Sequence, residues 1–175
     1  KKYGDDEFEL KASTDSGLPL IFSSSNPTIA TISSSAPPFL QIKGAGTVTI
    51  TVESSGGEAG GKEWQAAVAS KQMTIAKADQ TIDFPSIADK AVGDLDFSPG
   101  ATATSGLKIT YTSSNSDVAV VDGQKIKVKG GGKTTITAAQ AGDDNYNVAT
   151  SKSRSFSVTL TNLFPDSFPG IVAWL

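Results

Sequence analysis

Histidine and cysteine are both missing from this 175-residue chain, and methionine occurs once. Each absence removes a class of chemistry. Without His there is no His-based catalytic triad, and without Cys there is no thiol nucleophile and no disulfide framework. Ordinary zinc and copper sites go with them, because their ligands are mostly imidazole and thiolate. A carboxylate-only or calcium site passes that filter. Basic charge is also short: the net charge is −3, whereas a nucleic-acid partner needs a positive surface. No apolar run approaches the roughly 20 residues of a membrane span. The opening Lys1-Lys2-Tyr3-Gly4-Asp5-Asp6 has no apolar stretch of the kind a signal peptide carries.

What the chain does hold is Ser, Thr and Gly, and it holds them in a repeat. Gly4-Asp5 falls on Gly93-Asp94, Phe8 on Phe97 and Ala12 on Ala101. Ser16-Gly17-Leu18 falls on Ser105-Gly106-Leu107, and Ser24-Ser25-Asn26 on Ser113-Ser114-Asn115. After a shift of three residues, Lys43-Gly44-Ala45-Gly46 meets Lys129-Gly130-Gly131-Gly132, and Thr49-Ile50-Thr51 meets Thr135-Ile136-Thr137. Matches kept in one order along the chain mark two copies of one module. The copies are unequal at the front. The second has a lead-in, Gln80-Thr81-Ile82-Asp83-Phe84-Pro85, and the first begins after the equivalent point. The first copy is therefore expected to lack its first strand. Either the chain continues upstream or another chain supplies that strand.

Within each copy the hydrophobic period is two. Thr47-Val48-Thr49-Ile50-Thr51-Val52 and Lys133-Thr134-Thr135-Ile136-Thr137-Ala138 alternate as half-buried strands do. Leu20-Ile21-Phe22 and Ile109-Thr110-Tyr111 read as core strands. Asp122-Gly123 between two apolar runs predicts a two-residue hairpin turn. Residues from Glu63 to Ser70 have room for one helical turn, but their neighbours favour a strand. Short strands broken by frequent turns predict an all-β fold of two tandem immunoglobulin-like β-sandwiches. The boundaries expected are 1–77 for the first module, 78–160 for the second and 161–175 for a tail. Ala76-Lys77-Ala78-Asp79 is a short linker.

Gly106-Leu107-Lys108-Ile109-Thr110-Tyr111-Thr112-Ser113-Ser114-Asn115 is followed by Val118-Ala119-Val120-Val121, Lys129-Gly130-Gly131-Gly132 and Ala141-Gly142-Asp143-Asp144-Asn145-Tyr146. This string resembles the bacterial immunoglobulin-like repeats found in tandem in large secreted and cell-surface proteins. The first copy carries the pattern through Gly17-Leu18-Pro19 and Ser24-Ser25-Asn26-Pro27, then departs with a longer loop from Ser54 to Lys62 and Trp64 in place of the Asn-Tyr pair. The resemblance implies a spacer or adhesive module outside the cell.

Few residues invite a chemical reading. Asp143, Asp144 and Asn145 offer oxygen ligands to calcium, or form a polar turn with Tyr146 packed at its corner. Asp5-Asp6-Glu7 and Asp94-Leu95-Asp96 recur in both copies, as a structural turn would. A glycosidase pair of carboxylates would need an aromatic-lined cleft that nothing here supplies. Lys125, Lys127 and Lys129 alternate as the solvent face of an exposed strand, a position where lysine discourages edge pairing. Trp64, Tyr3 and Tyr111 suit a core or an interface better than a sugar platform. No residue is nominated as catalytic, and no cofactor is expected.

The tail is dense in apolar groups: Leu163, Phe164, Phe168, Ile171, Val172, Trp174 and Leu175. Left in water they would cost about 25 cal/mol per Å2. Gly170-Ile171-Val172-Ala173-Trp174 resembles the opening strand of a laminin-G or concanavalin-like lectin domain, and Phe164-Pro165 echoes Phe84-Pro85. The tail is either the start of a further domain or a strand donated to the open first copy of a neighbouring chain, a head-to-tail arrangement that propagates as a filament. The expected function is a non-catalytic structural or adhesive module of an extracellular bacterial surface protein. Its partners would be neighbouring copies of the chain or adjacent domains, with no nucleic acid and no membrane span. The alternative is a glycan- or calcium-binding accessory module of a secreted multidomain protein, such as a polysaccharide-degrading enzyme.

Overall fold

A computed structural model describes residues 1–160. Among them every regular element is a strand, as β-branched residues at period two dictate. The chain divides into two compact units. One comprises Lys1–Asp79 with Gly142–Val148, and the other Gln80–Ala141 with the chain from Ala149 on.

In the first unit the strands are β1 (Phe8–Glu9), β2 (Ile21–Ser24), β3 (Ala30–Ile32), β4 (Phe39–Ile42), β5 (Gly46–Ser54), β6 (Gly57–Ala59), β7 (Lys62–Trp64) and β8 (Ala67–Ile75). They form antiparallel sheets in the orders β1-β4-β3 and β2-β5-β8, with β6 and β7 as a separate hairpin. The stretch from Glu63 to Ser70 is strand rather than helix, apart from the break between β7 and β8. Ala30, Leu40, Val48 and Ile75 are its buried apolar residues.

The second unit holds β9 (Ile82–Asp83), β10 (Lys90–Ala91), β11 (Thr102–Ala103), β12 (Thr110–Ser113), β13 (Ala119–Asp122), β14 (Lys125–Val128), β15 (Gly132–Ala139) and β16 (Lys152–Thr159). The main sheet runs β10-β16-β15-β12, with β10 parallel to β16. Two small sheets, β9 with β11 and β13 with β14, complete the sandwich. Tyr111, Ile136, Ala138, Phe156 and Val158 of the main sheet share one core cluster with Ile82, Phe84, Ala119 and Ile126 from the small sheets. Burying both inner faces against each other is what makes two antiparallel sheets a stable layer pair.

The predicted hairpin is present, displaced by one residue. Asp122 still pairs with Lys125, so the two-residue loop is Gly123-Gln124, and Gly123 takes φ +60° there. Asp122 was free to extend the ladder because only Gly123, the first loop position, takes the positive φ that glycine tolerates.

The repeat is visible in the strand registers. Phe22 faces Val52 across β2 and β5, as Tyr111 faces Ala138 across β12 and β15. Ile50 faces Lys71 and Val48 faces Met73, as Ile136 faces Arg154 and Thr134 faces Phe156. Phe8 lies opposite Leu40, as Phe97 bridges Ile126. Strand β9 breaks the symmetry: among the described residues, no strand of the first unit stands in its place.

Candidate interaction groove

The turn at Asp143 is built by its own side chain. Asp143 Oδ1 accepts hydrogen bonds from the backbone N–H groups of Asn145 and Tyr146, both at 2.8 Å. Asn145 Oδ1 accepts one from Ala45 N at 2.9 Å, and the Tyr146 ring meets Tyr3 edge-on with centroids 5.4 Å apart. The Asp143 oxygen serves the backbone of its own turn, the satisfied-turn arrangement, and the Asn145 oxygen serves a distant strand-end amide, while the Asp144 side chain is exposed. No group of three or more acidic side chains is close enough to hold a metal ion among the described residues. The two acidic turns also repeat one device: Asp5 Oδ2 accepts from Lys2 N and Asp94 Oδ2 from Ala91 N, each at 3.0 Å.

The lysines on β14 lie on its outer face. Lys125 and Lys127 are exposed on either side of buried Ile126, and Lys127 reaches Asp96 at 3.9 Å. The single aromatics are accounted for by packing. Trp64 Nε1 donates to Ala59 O across its own hairpin, and Tyr111 is buried with its hydroxyl accepting from Ala101 N. The tail residues Leu163, Phe164, Phe168, Ile171, Val172, Trp174 and Leu175 lie outside the described residues.

Among the described residues a concavity lies in the first unit, at the place where the second unit keeps β9. In the second unit Ile82 and Phe84 point inward from that lead-in and are 1% and 0% exposed. Asp83 and Ile82 pair with Thr102 and Ala103, while Thr81 exchanges hydrogen bonds with Thr104. The Phe84 ring lies 6.1 Å from the Tyr111 ring, and the Arg154 guanidinium stands 5.8 Å from its centroid. In the first unit the corresponding space is a groove of about 460 Å3. Phe22, Ile50, Val52, Lys71 and Met73 line it, and its floor includes Leu40. These are the register equivalents of Tyr111, Ile136, Ala138, Arg154, Phe156 and Ile126.

Burial records the difference. Tyr111, Ile136, Ala138 and Phe156 are buried, whereas Phe22, Ile50, Val52 and Met73 are only half-buried. That leaves an apolar surface in water within a concavity of ligand-site size. Nothing in the composition singled these residues out. The signal was the comparison of copies, since Phe22 aligns with the tyrosine that the lead-in phenylalanine covers.

Comparisons with known proteins bear on the module itself. No curated protein matches the chain in sequence. Among solved structures it is similar to the crystal structure of Drosophila N-cadherin EC1-4, at 13% identity and a TM-score of 0.37, over 93% of this chain and 46% of that one. It therefore spans less than half of that cadherin fragment. It is similar to human protocadherin-24 EC1-2 at 13% identity and a TM-score of 0.37, over 87% of both chains. Residues 94–160 match the family model described as bacterial Ig-like domain (group 2), which lies within the second copy and takes in β11 to β16. Residues 94–160 of the second unit are therefore similar to a bacterial Ig-like domain (group 2), and the sequence repeat relates the first unit to the second.

Proposed function

We propose that this chain is a structural and adhesive segment of an extracellular bacterial surface protein or filament, and that its residues 161–175 donate a strand to the groove of a neighbouring copy. The observation that carries the reading is the groove. One unit of a repeated sandwich holds a lead-in strand against its core, and its sister leaves the equivalent apolar surface half-covered. A strand added there would satisfy the sheet edge through main-chain hydrogen bonds and fill the groove with alternate side chains. Donor and acceptor sit in different parts of the chain, so each copy would offer one and accept the other. Such a heterologous contact extends into a filament unless its rotation closes a ring.

In this role the module does no chemistry. It spans, stiffens and displays, and the match to a bacterial Ig-like domain supports that class of work. Sedimentation velocity and electron microscopy of the intact chain and of a chain lacking residues 161–175 test the reading. The intact chain should form concentration-dependent linear assemblies and the shortened chain should sediment as a monomer. Identical behaviour of the two would overturn strand donation.

A further inference from the structure

Apart from its groove, the first unit has a sheet edge that carries less charge than the matching edge of its sister. We propose that the outer edge of β8, from Ala66 to Ser70, pairs antiparallel with the same edge of a second copy of this chain, about a two-fold axis at Val68. The pairing itself stands apart from strand donation; only its setting between filaments rests on that reading.

Strand β8 ends the sheet β2-β5-β8, and among the described residues no strand lies beyond it. This open edge does not depend on a lead-in strand. In the second unit, where the lead-in is present, β10 reaches β16 only at Val158 and Thr159, and Asp89 Oδ1 takes the Ser157 amide at 2.8 Å. From Lys152 to Phe156 that edge too has no strand beside it among the described residues. The sequence treats the two edges differently. Strand β16 opens on Lys152 and carries Arg154 two residues later. Ala69 and Lys71 hold those register positions in β8, so one of the two cations is gone. Strand β8 also begins two residues earlier, with Ala67 and Val68 where the second unit has Thr150 and Ser151. Lysine on an edge strand blocks pairing with another chain, whereas an uncharged row of backbone N–H and C=O groups is a template for it.

The segment's own sequence selects a second copy as the occupant. Centred on Val68, Ala66-Ala67-Val68-Ala69-Ser70 meets itself with no charge inside the ladder, and Lys71 falls opposite Gln65 rather than another lysine. Val68 meets its twin on the face of the sheet that it shares with Glu53 and Ile21, its neighbours in one cross-strand row. Val68 is 68% exposed, and a valine opposite it withdraws both from water. The contact is isologous, so it closes at two copies and does not compete with head-to-tail growth. Ala66–Ser70 is much shorter than the roughly 20–30 residues a side of a standard interface. Free chains in dilute solution therefore stay apart, and the pairing accumulates where copies are held alongside one another, as neighbouring filaments would hold them.

The chain has no cysteine, so a single introduced one reports on a single place. The intact chain carrying Val68→Cys is held at about 1 mM, where a contact of millimolar Kd is well populated, and treated with a mild oxidant. Covalent dimer is followed on non-reducing gels. Opposed residues of an antiparallel pair have Cα atoms about 4.5–5.5 Å apart, within disulfide reach. Val68→Cys should link about tenfold faster than Ser151→Cys, its exposed equivalent in the second unit, because pairing raises the effective concentration of its twin. Adding Ala69→Lys, which restores the charge that Lys152 gives the sister strand, should bring the Val68→Cys rate down to that of Ser151→Cys. Ala69 is exposed, so this change leaves the core intact, as circular dichroism would verify. Ser70→Cys should stay slow as well, because its twin would lie about 13 Å away along the ladder. A Val68→Cys rate no higher than that of Ser151→Cys, indifference to Ala69→Lys, or equally fast linking at Ser70→Cys would each overturn the pairing. Val68→Cys in a chain lacking residues 161–175 separates this edge from the tail. An unchanged rate is expected, and loss of linking would give the edge to the tail and overturn the proposal. Absence of linear assemblies from the intact chain would end strand donation and leave this result standing.

Discussion

Asn145 shows at the scale of one residue how sequence position and structural membership part company. It lies in the second copy by sequence, yet the loop Gly142–Val148 belongs to the first unit. There its side chain caps Ala45 N, while its carbonyl accepts from Ala78 N at 2.8 Å. Asn145→Ala leaves the Ala45 N–H without its partner in a half-buried place, at a cost of about 1–3 kcal/mol. The loss should appear as a lower unfolding midpoint of the first unit, with the second unit unmoved. Gly142 carries a harder constraint. Its φ is +77°, and a Cβ added to it would collide with the Tyr146 carbonyl oxygen. Gly142→Ala should therefore destabilise the same unit by more than Asn145→Ala, since both the left-handed backbone and the close approach penalise a side chain. Chemical denaturation followed by the Tyr3–Tyr146 environment in near-ultraviolet circular dichroism would rank the two variants.

Among the elements, β9 and the residue that follows it, Phe84, are short but decisive. Phe84 is fully buried beside Tyr111, so Phe84→Ala should cost the second unit about 3–5 kcal/mol. Phe22→Ala, at the equivalent of the covering ring in the first unit, should cost markedly less because Phe22 is already half in water. Equal losses in urea titrations of the two variants would argue against an open groove in the first unit. Much of this architecture was legible beforehand. The recurrence of Ser24-Ser25-Asn26 as Ser113-Ser114-Asn115 announced two copies, and the alternation in Thr47–Val52 and Lys133–Ala138 gave the strands their faces. The groove itself was not legible, because residues such as Phe22, Leu40 and Met73 become one surface only when β2, β4 and β8 are brought together. Nor was the membership of Gly142–Val148, which depends on the contacts of Asn145 and Tyr146 with residues about a hundred positions earlier. The polar turn at Asp143 was one of the two readings its Asx residues offered, but which backbone N–H groups its oxygen takes was not legible.

For the molecule as a whole, the uneven covering of the two units sets how it comes apart. Among the described residues, the second unit's core cluster has twelve buried apolar residues and the first unit's has four. Burial of apolar surface is the main favourable term in folding, so the unit with the smaller core has less to set against the entropy of its chain. The chain passes between the units after Asp79, after Ala141 and after Val148. When the first unit melts, it releases Gly142–Val148 as a loop closed at both ends by the still-folded second unit. The hydrogen bond from Ala149 N to Gln140 O at 3.0 Å lies within that second unit and can persist. Calorimetry should therefore resolve two transitions, the lower one belonging to the first unit. Native-state hydrogen exchange identifies which is which: the amide of Ile136, in β15, should be protected to a higher opening free energy than that of Ile50, its equivalent in β5. A single transition, with Ile50 and Ile136 exchanging at the same free energy, would show that the smaller core does not limit the molecule.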